Sequence, residues 1–393
     1  MAFQFESNLI KKFPPYIFAR LNAEKLAARH KGVDVIDFGM GNPDNQTPQP
    51  IVDKLIEVVR DKKSHRYSTS KGIPAFLKAV SRWYERKYDV SIDPKTEAVS
   101  VIGSKEGLAH LGLALFNRGD KILVPNPTYP IHHYSIIIAG GKIVSVPIIE
   151  GPDAFFKNLE KAYKKSAPKP KVLIINFPHN PTTVSVDQEY FKDIVKWAKK
   201  HQVTVVHDLA YADIVYDGYK SPSFLSVKGA KDVGVEVFTM SKSYNMAGWR
   251  IGFAAGNPKI IGALAKIKSY MDYGIFTPIQ VAAITALDGP EENLRKLAAV
   301  YQERRDIMVA GMNQMGWPVD KPRAAMYLWA KIPPKFAKMG SLDFSMMLLK
   351  EAGVAVAPGT GFGSLGEGYI RMALVENKDR SRQALRNMKK LFS

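Results

Sequence analysis

A lysine follows an apolar segment in the second half of the chain, where its amine could act as a nucleophile. The run 235–240 predicts a buried strand, and Lys242 comes two residues after it. Burial disfavours the charged ammonium and favours the neutral amine, which is the form that attacks a carbonyl carbon. A lysine at the end of a strand is more often solvated, so Lys242 alone carries no conclusion.

Other polar side chains with possible chemical roles also follow predicted strands. Asp208 comes directly after the run Val203–His207, and a buried carboxylate is costly unless a cation partners it. Asn180 and Tyr129 stand in proline-rich turns, which would hold an amide and an aromatic ring in fixed positions. Ser104 follows a glycine and opens a helix, where backbone N–H groups bind anions. Taken singly, a salt bridge, a turn and a helix cap explain these residues as well or better.

The elements that would position these side chains lie between about 97 and 255, where short β-branched runs alternate with helix-like segments. This alternation is typical of an α/β fold with a sheet covered by helices on both faces. Ligands bind outside the carboxyl ends of strands in such sheets, so we expect the polar residues to face one crevice. The predicted strands are 98–102, 121–124, 142–147, 172–176, 203–207, 235–240 and 251–255, and helices are predicted over 108–116, 191–200 and 260–270.

The rest of the chain predicts a second, smaller α+β domain. A long charged helix pattern covers 291–312, and strands are predicted over 326–332 and 369–374. We therefore expect an N-terminal arm and part of the small domain in 1–45, a large domain in 46–290, and a hinge helix with the small C-terminal domain in 291–393.

Composition excludes several classes of protein. The 393 residues contain no cysteine, which removes disulfide scaffolds, thiolate catalysis and Fe–S ligation and favours a reducing compartment. The N-terminus lacks the features of a signal peptide, and the apolar runs are too short to span a bilayer. The sequence therefore predicts a soluble, cytoplasmic protein with no membrane partner.

The charge balance is strongly basic, with 56 Lys and Arg against 37 Asp and Glu and a formal net charge of +19. A nucleic-acid binder would also be basic, because phosphate contacts need such residues. The lysines are dispersed and no helix-turn-helix pattern precedes the sheet region, so we expect no nucleic-acid partner. The charge indicates small anionic ligands instead.

One cofactor needs the combination of groups that follows the strands. Pyridoxal phosphate requires a lysine for its aldehyde, a carboxylate that keeps its ring nitrogen protonated, and donors for its phosphate. Lys242, Asp208 and the helix start at Ser104 supply these three, and an amide and an aromatic ring accompany them. The set therefore predicts pyridoxal 5'-phosphate as the cofactor.

Residues 241–253, which read SKSYNMAGWRIGF, resemble the cofactor-lysine signature of fold type I pyridoxal-phosphate enzymes in the class I/II aminotransferase family. The similarity covers nearly the whole chain, from 37–44 to 369–374. Segments such as 207–216 are similar to bacterial alanine-forming glutamate–pyruvate aminotransferases. The resemblance implies a fold type I architecture, with a mainly parallel central sheet and a smaller α+β domain, and a homodimer with sites at the subunit interface.

The resemblance also assigns roles residue by residue. It implies that Lys242 holds the cofactor, that Asp208 pairs with the ring nitrogen, and that Tyr211 is a third catalytic residue. The other implied cofactor contacts are Ser104, Lys105, Ser241 and Arg250 at the phosphate, Tyr67 reaching it from the neighbouring subunit, Asn180 with Tyr211 at the ring hydroxyl, and Tyr129 on the ring face. The implied substrate contacts are Arg371 at the α-carboxylate, Gly41, Asn180 and, on the N-terminal arm, Tyr16.

The implied reaction moves an amino group between an L-amino acid and a 2-oxo acid. The preferred pair is glutamate with pyruvate, giving 2-oxoglutarate and alanine. Specificity for aspartate, methionine, aromatic amino acids or diaminopimelate stays open, as does elimination by a C–S lyase.

Two other patterns are interpreted as structural. Residues 361–366 fit G-x-G-x-x-G, but a predicted strand follows where a dinucleotide motif needs a helix, so we expect a flexible loop. His132 and His133 are adjacent and cannot share one helical face, so they are interpreted as packing or surface residues and no metal site is predicted.

Overall fold

The computed structural model describes residues 5–14 and 17–392. Twelve strands lie in these residues, most of them short apolar runs. In chain order they are β1 (Ile36–Asp37), β2 (Ala98–Val101), β3 (Lys121–Asn126), β4 (Lys142–Pro147), β5 (Val172–Asn176), β6 (Thr204–Asp208), β7 (Gly234–Thr239), β8 (Gly252–Gly256), β9 (Tyr327–Lys331), β10 (Val354–Ala355), β11 (Ala357–Pro358) and β12 (Tyr369–Ala373).

The α-helices of the same residues alternate with these strands through the sheet region. They are α1 (Ile17–His30), α2 (Gln49–Val59), α3 (Pro74–Tyr88), α4 (Ser104–Leu115), α5 (Pro130–Ile138), α6 (Pro152–Lys165), α7 (Gln188–His201), α8 (Ala230–Val233), α9 (Met240–Ser243), α10 (Pro258–Met271), α11 (Thr277–Leu287), α12 (Glu292–Gln314), α13 (Gly340–Ala352) and α14 (Lys378–Lys389). None of the described helices is long and apolar enough to cross a membrane.

Helix α7 illustrates how the sequence specifies these elements. The Asp187 side chain accepts a hydrogen bond from the backbone N–H of Tyr190, which satisfies one of the free donors at the helix start. Phe191, Ile194 and Ala198 then recur at helical spacing and are buried, and lysines occupy the opposite face.

The central sheet has seven strands in the order β2-β8-β7-β6-β5-β3-β4. All of its neighbouring pairs are parallel except those of β8, which runs antiparallel to β2 and β7. Every residue of β5 is buried, as expected for a strand covered on both faces. The predicted mainly parallel α/β sheet is confirmed.

Adjacent residues along these strands belong to different apolar cores because successive side chains point to opposite faces. Val205 packs into a core formed with α3, α6, α7 and α11. Val206 packs into a second core with α4, α5 and α10. The sheet is therefore the middle layer of three.

A smaller antiparallel sheet, β11-β12-β9, is formed by the C-terminal part of the chain. The N-terminal strand β1 pairs with β10, so residues before 40 contact residues after 350. Strands β1, β10 and β11 were not predicted from the sequence because two-residue strands carry no periodicity, whereas β12 matches the strand predicted over 369–374. The domain boundaries at 45 and 290 stay a prediction.

The segment 361–366 was expected to be a flexible loop, but it forms two short 3-10 turns, Gly359–Phe362 and Ser364–Gly366. It is anchored to the large sheet because the backbone N–H of Thr128 donates to the Phe362 carbonyl at 2.8 Å. The Asn126 side chain also donates to the Ser364 hydroxyl at 3.2 Å.

Candidate active site

A cavity of about 540 Å³ opens at the carboxyl ends of three neighbouring strands of the central sheet. The last residues of these strands, Asn176, Asp208 and Thr239, all line it. Eleven of the residues predicted from the sequence line the same cavity: Gly41, Ser104, Lys105, Tyr129, Asn180, Asp208, Tyr211, Ser241, Lys242, Arg250 and Arg371.

Lys242 lies in the short helix α9, directly after β7. The Thr239 hydroxyl accepts from the backbone N–H of Ser241, which fixes the start of this helix. The Lys242 amine donates to the carbonyl oxygen of Gly41 at 2.6 Å. Burial, followed by the charges of Arg371 and Arg250, lowers the pKa of Lys242 to about 7. A large share of the amine is therefore neutral near neutral pH, as a nucleophile requires.

Asp208 ends β6 and is almost fully buried. His132 Nε2 lies 3.0 Å from its Oδ2. The hydroxyl of Thr128 lies 2.7 Å from the other ring nitrogen of His132 and can hold the tautomer that donates to the carboxylate. Asp208 Oδ1 has no hydrogen-bond partner among the described residues. One oxygen of a buried carboxylate is thus free to accept from a ligand in the cavity.

A hydrogen-bonded chain links three of the predicted residues. Arg371 Nη1 donates to Asn180 Oδ1 at 2.9 Å, and Asn180 Nδ2 donates to the hydroxyl oxygen of Tyr211 at 3.1 Å. The Arg371 guanidinium lies 4.2 Å from the ring centre of Tyr327 and 4.5 Å from that of Phe362. The two rings hold the cation by dispersion and cation–π attraction and orient its planar fork.

The start of α4 and Arg250 form the anion-binding end of the cavity. Gly103 precedes the helix with φ of 74°, in a region that L side chains rarely adopt. A Cβ at this position would lie 2.6 Å from a guanidinium nitrogen of Arg250, so glycine also allows that close approach. Ser104 and Ser241 add hydroxyls, and Lys105 is exposed at the mouth. Helix-start N–H groups, hydroxyls and cations together suit a phosphate.

The charges around the cavity are unbalanced. Four basic side chains line it, and Asp208 is the one carboxylate among its lining residues: the basic residues are Lys105, Arg250, Arg371 and the partly neutral Lys242. A cleft with this balance attracts anions. Part of the sequence's excess charge is therefore concentrated where anionic ligands would bind.

Two predicted residues are not brought to this cavity. Tyr67 is 93% exposed and packs edge-on against Tyr273, with ring centres 5.5 Å apart. Tyr16 lies outside the described residues.

Sequence reasoning missed several residues of the site. His132 was interpreted as a packing or surface residue, and its full burial fits packing, but its contact with Asp208 at 3.0 Å was not foreseen. Its contact is 76 residues distant in the chain, which no local pattern reveals. Asn176 and Thr239 could have been found, since Asn176 ends a predicted strand and Thr239 lies one residue before the end of another. Tyr327 carried no signal, because it lies inside a predicted strand of the other sheet.

The family model described as aminotransferase class I and II matches residues 33–386. The chain is 56% identical over 383 residues to the glutamate-pyruvate aminotransferase AlaC of Escherichia coli, covering 98% of this chain and 93% of that protein.

Other relatives and structures are similar over comparable lengths. The LL-diaminopimelate aminotransferase of Moorella thermoacetica is 44% identical, with 98% of each chain covered. Substrate-bound BacF of Bacillus subtilis superposes with a TM-score of 0.92 at 34% identity, covering 99% of this chain and 98% of that one.

Proposed function

Because the chain belongs to the class I and II aminotransferases, we propose that it transfers the amino group of L-glutamate to pyruvate, forming 2-oxoglutarate and L-alanine. The reaction class and its amino-acid and oxo-acid substrates follow from the family. The choice of this pair is supported by the 56% identity to a glutamate-pyruvate aminotransferase over nearly the full length of both chains.

Members of this family use pyridoxal phosphate, and the cavity fits that cofactor. The observation that carries the assignment is Asp208 Oδ1, a buried carboxylate oxygen without a partner in the described structure. A protonated ring nitrogen would satisfy it. The partly neutral amine of Lys242 suits the aldehyde, and the helix start at Ser104 with Arg250 suits the phosphate. When bound, the cofactor supplies an electron sink for negative charge at the substrate α-carbon.

We assign the protein's own contribution to three groups. Arg371 binds the substrate α-carboxylate, since its guanidinium is buried, oriented by two rings and held by Asn180. Lys242 removes the α-proton and returns a proton after the amino group has moved, which needs a pKa close to the working pH. Asp208 keeps the ring nitrogen charged, with His132 behind it.

The active assembly is proposed to be a homodimer. Tyr67, Tyr273 and Phe276 line one surface pocket and are exposed by 93%, 56% and 41%. Large exposed aromatic patches are typical of interaction surfaces. A second copy covering this patch would place Tyr67 beside a neighbouring cavity, as the resemblance implies. The cytoplasmic location stays a prediction.

The experiment that tests the proposed substrates is a matrix of amino donors against oxo-acid acceptors with the purified enzyme. We expect the highest kcat/KM for glutamate with pyruvate. A clear preference for diaminopimelate with 2-oxoglutarate would overturn the proposed pair, and the 44% identical relative makes it the strongest competitor. Release of ammonia or a thiol in place of an amino-acid product would indicate elimination.

A further inference from the structure

Tyr327 lines the cavity with a hydroxyl that has no role so far. It lies on β9, is 2% exposed, and its hydroxyl oxygen is 2.9 Å from that of Tyr211. Its ring faces the Arg371 guanidinium. A Cβ at position 41 would lie 2.3 Å from the Tyr327 hydroxyl oxygen, so Gly41 leaves room for it. Tyr327 thus touches the residues proposed to bind both cofactor and substrate.

The direction of the neighbouring hydrogen bonds follows from the chemistry of arginine. A guanidinium only donates, so the atom of Asn180 that faces Arg371 must be its carbonyl oxygen. The amide nitrogen of Asn180 then faces Tyr211, and it too only donates. The Tyr211 hydroxyl oxygen therefore accepts from Asn180 and keeps its own hydrogen for another partner.

Two arrangements remain for the pair of tyrosine hydroxyls. If Tyr211 donates to Tyr327, its hydrogen is used inside the protein. If Tyr327 donates to Tyr211, the Tyr211 hydrogen can point into the cavity. With an acceptor beside Tyr211 in the cavity, the second arrangement uses both hydroxyl hydrogens, whereas the first uses the Tyr327 hydrogen only if another acceptor lies beside Tyr327.

We propose that Tyr327 is a positioning residue that donates to Tyr211 and thereby directs the Tyr211 proton to the ring oxygen of pyridoxal phosphate. This inference rests on the proposed cofactor contact of Tyr211. The charged and titratable groups near Tyr211 are Tyr327, Arg371 and Tyr129. A donor to the ring oxygen withdraws negative charge from it, so the nitrogen that joins Lys242 to the cofactor holds its proton less firmly.

The test is a pH titration of the visible absorbance of the holoenzyme. Removing the Tyr327 hydroxyl by Tyr327→Phe keeps the ring on Arg371 but takes away a hydrogen bond that Tyr211 accepts, so the Tyr211 hydroxyl becomes a weaker donor to the ring oxygen. We expect the pKa of the absorbance change to rise by about 0.5–1 unit, the range set by one neutral hydrogen bond.

Tyr216→Phe is the matched control. Tyr216 is equally buried in the same apolar core, its hydroxyl donates to the Ala325 carbonyl at 2.8 Å, and the Arg305 guanidinium lies 4.6 Å from its ring. It does not line the cavity. We expect the absorbance of this variant to titrate as in the wild type.

A second variant separates the proposed path from a general structural effect. In a Tyr211→Phe background, Tyr327→Phe should cause no further shift, because the proton it directs is gone. The proposal is overturned if Tyr327→Phe titrates like the wild type, if Tyr216→Phe shifts equally, or if the shift persists without the Tyr211 hydroxyl. A wild-type protein that gains no visible absorbance with pyridoxal phosphate would instead overturn the proposed function, and this inference with it.

Discussion

Two buried carboxylates lie on neighbouring strands of the central sheet, and each contacts a histidine. Glu236 on β7 is fully buried and accepts four hydrogen bonds, from Tyr84 at 3.0 Å and from Ser223, the backbone of Phe224 and His207 at 2.8 Å each. Asp208 on β6 is also buried, but His132 is its one side-chain partner, and one oxygen has none in the described structure.

The difference between the two carboxylates follows from the face of the sheet that each occupies. His207 is the partner of Glu236 in the strand register, and Asp208 is the next residue, so their side chains point to opposite faces. A buried carboxylate such as Glu236, whose two oxygens both have hydrogen-bond partners, stabilises the fold. A buried carboxylate with a free oxygen is stabilised by a ligand that donates to it, because an unpaired buried acceptor is costly.

The same contrast separates two lysines. Lys268 is fully buried between Glu106 and Asp272, at 2.9 and 2.8 Å. Lys242 has a carbonyl oxygen as its hydrogen-bond acceptor and two arginines among the charges that lower its pKa. Buried charged groups that are fully paired within the protein thus lie in the structural region. Buried charged groups that lack such a partner lie in the reactive region.

The largest expected effect in this comparison is that of Lys242→Ala. Without the amine, both the covalent attachment of the cofactor and the proton transfer are lost, so kcat should fall by roughly 10⁴-fold or more. The visible absorbance of the bound cofactor should also disappear. Stopped-flow turnover and absorbance spectra measure both.

Lys268→Met is the matched control for that variant. It removes an equally buried amine outside the cavity, so we expect a lower Tm with the cofactor spectrum retained. Wild-type turnover in Lys242→Ala would contradict the assignment of the nucleophile.

Asp208→Ala should have the next largest effect. The protein loses the group that keeps the ring nitrogen charged, so the electron sink weakens and kcat should fall by about 10²-fold or more. Cofactor is still expected to bind, through Lys242 and the phosphate end. Kinetics of the half-reaction with glutamate measure the change, and unaltered rates would remove Asp208 from this role.

Glu236→Gln should lower the stability of the protein and leave its turnover nearly unchanged, in contrast to Asp208→Ala. One oxygen of the saturated carboxylate becomes an amide that faces donors, and the loss of acceptors should lower the free energy of unfolding by about 1–3 kcal/mol. The kcat of the folded enzyme should stay within about threefold, since no lining residue is changed. Denaturant unfolding checks the first expectation. A large loss of kcat at unchanged stability would contradict the assignment of Glu236 to a structural role.

The reactive region could largely be predicted from the sequence, because its residues end or follow apolar strands. Lys242, Asp208 and Asn180 come after runs that the structure confirms within one or two residues. A parallel sheet gathers the ends of its strands at one edge, so the sequence position alone brings these groups together.

The structural network around Glu236 and the contacts of Tyr327 could not be predicted in this way. Glu236 lies inside an apolar strand, and Tyr84 reaches it from 152 residues away. Tyr327 meets Tyr211 across 116 residues, between the two sheets. Such contacts depend on how layers pack, which a single strand or helix pattern does not encode.

The smallest expected effect concerns the pH dependence of cofactor capture. Below its pKa of about 7 the Lys242 amine is protonated and cannot attack, and above that value it is neutral. The rate at which added pyridoxal phosphate gives visible absorbance with cofactor-free enzyme should therefore rise from about pH 6 to about pH 8.

Arg371→Gln sharpens this prediction. The Arg371 charge lowers the pKa of Lys242, so its removal should move the midpoint of the rate profile to higher pH. Lys268→Met should leave the midpoint in place, because that amine is balanced by two carboxylates outside the cavity. A rate profile that is flat, or one that moves to lower pH in Arg371→Gln, would mean that Lys242 is not the titrating nucleophile.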